Sequence, residues 1–149
     1  MNVDHYLQSL FNLSGKIACV TGASTGIGRT MAYSLAKAGA SVVVTARREE
    51  LLAQTADQIK SEGGHSSYVV AELKDTKYIP KLFERVSKPF GTPDILVNAA
   101  GINLREPVEK ITLDSWEKTL EINLRAPFFL ARTMTVSYTH LTLPTILLV

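Results

Sequence analysis

The chain has 149 residues, 46% hydrophobic and 20% charged, which is typical of one globular domain and argues against a disordered segment. Its 16 Lys and Arg residues nearly balance 14 Asp and Glu residues, and no block of like charge predicts a nucleic-acid or membrane partner. A single cysteine, Cys19, excludes an internal disulfide, and three scattered histidines predict no metal site. The sequence shows no membrane-spanning apolar run and no signal-peptide pattern, which favours a cytoplasmic location.

Short apolar runs alternate along the chain with segments of helical periodicity, after an N-terminal arm over residues 1–12. We expect buried strands at residues 16–21 and 41–46, where short apolar runs end at turns, and further strands at residues 67–71 and 94–98. Helices are expected at residues 27–38, 49–61 and 76–88. A capping box of Asp114 and Glu117 is expected to open a long helix from Ser115. This alternation predicts an α/β fold, a doubly wound parallel sheet with helices on both faces.

A glycine-rich turn, TGASTGIG at residues 21–28, joins the first strand to the first helix. A pyrophosphate needs a turn that its backbone can approach closely and the free N–H groups of a helix start. We assign Gly22 to the turn, Gly26 to close approach and Gly28 to packing of the helix on the strand. The predicted cofactor contacts in this turn are Gly22, Ala23, Ser24, Thr25, Gly26, Ile27 and Gly28. The spacing differs from the commonest dinucleotide fingerprint, and a purely structural turn is the alternative.

Three ordered motifs together carry a family resemblance: TGASTGIG at residues 21–28, NAAG at residues 98–101, and Asn123 in a helix with Trp116 ahead of it. From about residue 13 to residue 134, the sequence resembles the short-chain dehydrogenase/reductase family. The resemblance implies a Rossmann-type sheet in the order 3-2-1-4, of which this chain holds the N-terminal four-strand half. It also implies a nicotinamide cofactor, hydride transfer to or from a small-molecule carbonyl or alcohol, and a homo-oligomeric parent protein.

The residues after the second strand favour NADP(H) over NAD(H). A carboxylate at this point binds the ribose 2′-OH of NAD, whereas arginine accommodates the 2′-phosphate of NADP. The chain has Ala46, Arg47 and Arg48 here, and a guanidinium group suits phosphate recognition. The alternative for Arg48 is a solvated charge at a helix start. By resemblance, the adenine lies at Glu72 and Leu73, with Glu72 in place of the family's Asp.

The NAAG motif ends the fourth strand at the point where the strand order reverses, which is where open α/β sheets bind ligands. The resemblance implies that Asn98, Ala99 and Gly101 line the cofactor's ribose. It implies that Asn123 is a catalytic residue whose main-chain carbonyl holds a water in the proton relay. Pro127 has no N–H to donate to that carbonyl, which predicts an opened helical turn. Taken alone, Asn123 also fits a surface or helix-bending role.

The family's remaining catalytic residues, a serine followed by Tyr-x-x-x-Lys, have no counterpart in the chain. The tyrosine is the general acid/base and the lysine lowers its pKa. Tyr138 is followed four positions later by Thr142, and Tyr78 has Lys81 at the wrong spacing. We therefore expect these 149 residues to be inactive by themselves. A non-catalytic nucleotide-binding module and an unrelated Rossmann enzyme such as a methyltransferase are the alternatives.

Residues 135–149 resemble no part of the family, and VSYTHLTLPT at residues 136–145 resembles one reading frame of a transposase adapter of sequencing libraries. We therefore expect a non-native tail and a native sequence truncated near Met134; a divergent natural C-terminus is the alternative. Truncation there would leave an apolar sheet edge and an incomplete oligomer interface. The family's substrate-specificity loops would lie after the truncation point, so no substrate can be predicted from this sequence.

Overall fold

The computed structural model of the chain describes Tyr6 and residues 9–137. Most of the predicted N-terminal arm lies outside the described residues, and so does the predicted non-native tail beyond residue 137. Residues 9–11 are helical and exposed, and residues 135–137 continue the last described helix. The domain predicted between residues 13 and 134 is described throughout.

The described elements follow the predicted order of strands and helices. The strands are β1 (Ile17–Thr21), β2 (Ser41–Ala46), β3 (Ser66–Val70) and β4 (Ile95–Asn98). The helices are α1 (Gly26–Lys37), α2 (Glu49–Ser61), α3 (Ile79–Ser87), α4 (Leu113–Leu120) and α5 (Ala126–Ser137). A 3₁₀ turn at Thr76–Tyr78 precedes α3, another lies at Val108–Lys110, and a π-helical turn at Glu121–Arg125 joins α4 to α5.

The four strands form one parallel sheet in the order β3-β2-β1-β4. This order and the flanking helices confirm the predicted Rossmann-type architecture. Thr21 at the end of β1 stands opposite Thr45 of β2 and Asn98 of β4. The carboxyl ends of these strands therefore lie level at one edge of the sheet, where parallel α/β sheets bind ligands.

Each face of the sheet is covered by a different pair of helices. Val42 and Val44 pack under α1 and α2, whereas Val43 and Cys19 pack under α3 and α5. Successive side chains of a strand point to opposite faces, so a strand buried on both sides needs the continuous apolar run that β2 has. No helix in the described part of the chain combines the length and apolar composition needed to cross a bilayer.

The start of α4 differs from the prediction. Thr112, rather than Asp114, is the N-cap: its Oγ1 accepts a hydrogen bond from Ser115 N at 3.1 Å, and Ser115 Oγ accepts one from Thr112 N at 3.0 Å. The predicted box of Asp114 and Glu117 is therefore wrong. Asp114 lies inside the first turn, where its negative charge faces the positive end of the helix dipole.

Candidate functional site

A cleft of about 300 Å³ opens at the carboxyl edge of the sheet. It is bounded by the turn after β1, the ends of β2 and β3, and the segment after β4. The residues that line it are Gly22, Ser24, Thr25, Thr45, Ala46, Arg47, Arg48, Ala71, Glu72, Leu73, Ala99, Ala100, Gly101, Ile102 and Ile122. The predicted site residues outside this lining are Ala23, Gly26, Ile27, Gly28, Asn98 and Asn123.

Two glycines let the turn after β1 fit closely against its neighbours. Gly22 has a φ of +67°, and a Cβ added there would lie 2.7 Å from Ala99 O and from Ala100 N and Cα. A Cβ on Gly28 would lie 2.6 Å from Gly22 O. Both distances are shorter than van der Waals contact, so a methyl group at either position would force backbone atoms to shift. Gly22 thus lets the turn lie against the segment after β4, and Gly28 lets the start of α1 lie against the turn.

The start of α1 has the features that a diphosphate requires. Gly26 has a φ of +60°, and a Cβ added there would meet no described atom within 4 Å. Thr25, the N-cap, has an extended backbone and makes no side-chain cap hydrogen bond to the helix. The first-turn N–H groups of α1 therefore lack a capping side chain at the positive end of the helix dipole. This end of the cleft fits the diphosphate of a dinucleotide.

The two arginines after β2 make different contacts. Arg48 Nη2 donates hydrogen bonds to Thr25 Oγ1 at 2.9 Å and to Ser24 Oγ at 3.4 Å. Arg48 thus contacts the glycine turn in addition to solvent. Arg47 Nη1 lies 3.7 Å from Glu72 Oε2, in an ion pair whose side chains are both more than half exposed. Both arginines and the two turn hydroxyls therefore line the same cleft, but only Arg48 contacts the hydroxyls.

The end of β1 is tied to the segment after β4 by a hydroxyl that sequence reasoning missed. Thr21 Oγ1 accepts a hydrogen bond from Ala100 N at 3.1 Å and donates one to Val97 O at 3.4 Å. Asn98 stands opposite Thr21 in the β1–β4 register and is exposed. A polar residue closing an apolar strand was the available sequence signal, but its partner can be seen only once β1 and β4 are paired.

Asn123 lies in the π-helical turn, and its side chain holds the loop that follows β4. Its Oδ1 accepts a hydrogen bond from Ile102 N, and its Nδ2 donates one to Ile102 O, both at 2.8 Å. Ala126 N donates to Glu121 O, the wider i→i+5 spacing of a π-turn. This widening agrees with the opened turn predicted from Pro127. The pairing with Ile102 was not predicted, because it joins residues far apart in the sequence.

The parallel sheet, the glycine turn and the cleft at the carboxyl edge define a nucleotide-binding fold of the Rossmann class. A family model described as short chain dehydrogenase matches residues 16–139. The chain therefore belongs to the short-chain dehydrogenase family. A short chain dehydrogenase of Pseudocercospora fijiensis (strain CIRAD86) is 43% identical over 122 residues, which cover 80% of this chain and 40% of that protein.

Solved structures agree with this assignment. A dehydrogenase/reductase from Sinorhizobium meliloti 1021 matches with a TM-score of 0.84 and 32% identity over 89% of this chain and 53% of its own. A 3-oxoacyl (acyl-carrier-protein) reductase from Agrobacterium tumefaciens C58, crystallised with NADP bound, matches with a TM-score of 0.83 and 27% identity over 90% of this chain and 52% of its own. The chain thus spans about half the length of these proteins, or less.

Proposed function

We propose that this chain supplies the NADP(H)-binding part of an oxidoreductase that transfers hydride between NADP(H) and a small-molecule carbonyl or alcohol. The observation that carries this proposal is the contact of the Arg48 guanidinium with the Thr25 and Ser24 hydroxyls, beside the uncapped start of α1. A guanidinium, two hydroxyls and a helix start together suit phosphate groups. Several matched structures were crystallised with NADP or NADPH.

Each part of the cleft has a role in this proposal. The backbone of residues 22–28 holds the diphosphate, and Arg47 and Arg48 bind the 2′-phosphate. Glu72 and Leu73 border the adenine, and residues 98–101 border the ribose. Ala46 stands at the end of β2, where a carboxylate would select NAD. When bound, NADPH supplies the hydride.

Asn123 joins the proposed site through the loop after β4. Its side-chain pairing with Ile102 fixes the position of the π-helical turn beside the cleft. Because Pro127 has no N–H, the turn leaves the Asn123 carbonyl without its ordinary helical donor, and we propose that this carbonyl holds a relay water. Since the 149 residues contain no Tyr-x-x-x-Lys, they are proposed to bind NADPH without turnover.

A matched pair of glycine substitutions tests the proposed binding site. Gly26 and Gly63 have φ values of +60° and +86°, and an added Cβ meets no described atom within 4 Å at either position. G26A and G63A should therefore lose similar stability, about 1–2 kcal/mol each. NADPH fluorescence titration should show binding to G63A like that of the wild-type chain. G26A should bind at least about tenfold more weakly, because its methyl group blocks the close approach of the diphosphate.

Equal NADPH affinity of G26A and G63A would contradict the proposed diphosphate site, and absence of NADPH binding by the folded wild-type chain would contradict the cofactor. A second assay follows NADPH oxidation against a panel of carbonyl compounds. No turnover is expected from the 149-residue chain. Clear turnover would show that the chemistry does not require the missing Tyr-x-x-x-Lys.

A further inference from the structure

The two arginines of the cleft differ in the charge that surrounds them. Arg48 donates to two neutral hydroxyls, and it forms no ion pair with any residue in the described range. Arg47, in contrast, has the Glu72 carboxylate at 3.7 Å. The positive charge of Arg48 is therefore free for an anionic ligand, whereas that of Arg47 is partly neutralised.

The Glu72 carboxylate is fixed by its own loop and not by Arg47. Glu72 Oε1 accepts hydrogen bonds from Leu73 N at 3.0 Å and from Lys74 N at 3.3 Å, which leaves Oε2 directed at Arg47. The ion pair itself is long and exposed, so it holds Arg47 only weakly. The negative charge therefore stays at the cleft even when the Arg47 side chain moves.

We propose that Glu72 lowers the selectivity of this cleft for NADP(H) over NAD(H) by competing with the 2′-phosphate for Arg47; this rests on the proposed function above. A 2′-phosphate carries close to two negative charges and must share the Arg47 guanidinium with the Glu72 carboxylate. NAD(H) has only a 2′-hydroxyl there and gains little from Arg47. Glu72 therefore lowers the affinity for NADP(H) more than the affinity for NAD(H).

The substitution E72Q isolates this effect. Glutamine keeps an oxygen that can accept from Leu73 N and Lys74 N, so the loop retains its hydrogen bonds while the charge is lost. E84Q removes the same charge from the exposed face of α3, at a position that does not line the cleft, and controls for net charge. Kd values for NADPH and NADH are measured by fluorescence titration at low and at high salt.

We expect E72Q to raise the ratio of NADPH affinity to NADH affinity about threefold to tenfold. An exposed pair of single charges changes a binding constant by up to about a factor of five, and the 2′-phosphate carries nearly two charges. The gain should shrink at high salt. E84Q should leave the ratio within about twofold of wild type. In an R47A background, E72Q should change the ratio less than about twofold, because the residue for which Glu72 competes is absent.

An unchanged or lower ratio in E72Q would overturn the inference, as would an equal gain in the R47A background. These outcomes leave the proposed function standing, because the chain still binds NADPH. A folded wild-type chain that binds neither cofactor would overturn the proposed function, and this inference with it.

Discussion

The substitution G22A measures how closely the turn after β1 approaches the segment after β4. Two separate penalties act on the new methyl group. The left-handed backbone at φ +67° costs an alanine about 1–2 kcal/mol. The Cβ would also lie 2.7 Å from backbone atoms of Ala99 and Ala100, which cannot move as a flexible side chain would, and such overpacking costs about 1–3 kcal/mol. G22A should therefore lose about 2–5 kcal/mol of unfolding free energy.

G63A supplies the matched control for this measurement. Its φ of +86° imposes a comparable backbone penalty, but its Cβ meets no described atom within 4 Å. The loss expected for G63A is therefore about 1–2 kcal/mol. The difference between the two variants reports the close approach alone, because both lose the conformational freedom of a glycine in the same backbone region.

Urea unfolding followed by circular dichroism gives the free energy for both variants and the wild-type chain. G22A should unfold at a clearly lower urea concentration than G63A, or show no cooperative transition where G63A still does. Equal losses in the two variants would mean that the turn does not contact the backbone of Ala99 and Ala100 in solution. The steric account of the glycine turn would then be refuted.

Three further predictions concern stability. T21V should lower the free energy of unfolding by about 1–3 kcal/mol in urea, because it removes the hydroxyl that accepts from Ala100 N. T45V should be neutral or stabilising, because the buried Thr45 Oγ1 has no hydrogen-bond partner among the described residues. A larger loss in T45V than in T21V would contradict these two contacts. T112A should lower the free energy of unfolding by about 1 kcal/mol, and D114A should lower it by less. A larger loss in D114A would indicate that Asp114, and not Thr112, caps the helix. Burial raises the pKa of the Cys19 thiol to about 12 from its ordinary 9.0, so the stability that this group contributes below pH 9 is lost as pH rises toward 12. C19A should make the free energy of unfolding depend less on pH between pH 9 and pH 12. An unchanged dependence would contradict the raised pKa of the Cys19 thiol.

The elements that could be predicted from sequence are those whose pattern is local. The strand β2 has the bounds that the sequence predicts, because a continuous apolar run between two turns is typical of a strand buried on both faces. The glycine turn can be recognised from its place between a strand and a helix. The cap of α4 was mispredicted, because Thr112, Asp114 and Ser115 are all capping residue types and sequence spacing does not choose among them.

The contacts that sequence reasoning missed join distant parts of the chain. The Thr21 hydroxyl meets Ala100 only when β1 and β4 are neighbours, and the Asn123 side chain meets Ile102 only when the π-helical turn lies beside the cleft. Glu72 was assigned to adenine by resemblance, whereas its ion pair with Arg47 depends on the packing of β3 against β2. Pairings of this kind require the sheet order and register before they can be inferred.

We propose above that the turn at residues 22–28 and the arginines after β2 hold NADP(H) in one cleft. The most direct measurement is a titration of the ¹⁵N-labelled 149-residue chain with NADPH, followed by backbone amide chemical shifts. We predict saturable shifts for Gly22, Gly26, Arg47 and Arg48. Gly63, which follows the carboxyl end of α2, should change little. Shifts that avoid the glycine turn, or no shifts from a folded chain, would contradict the account.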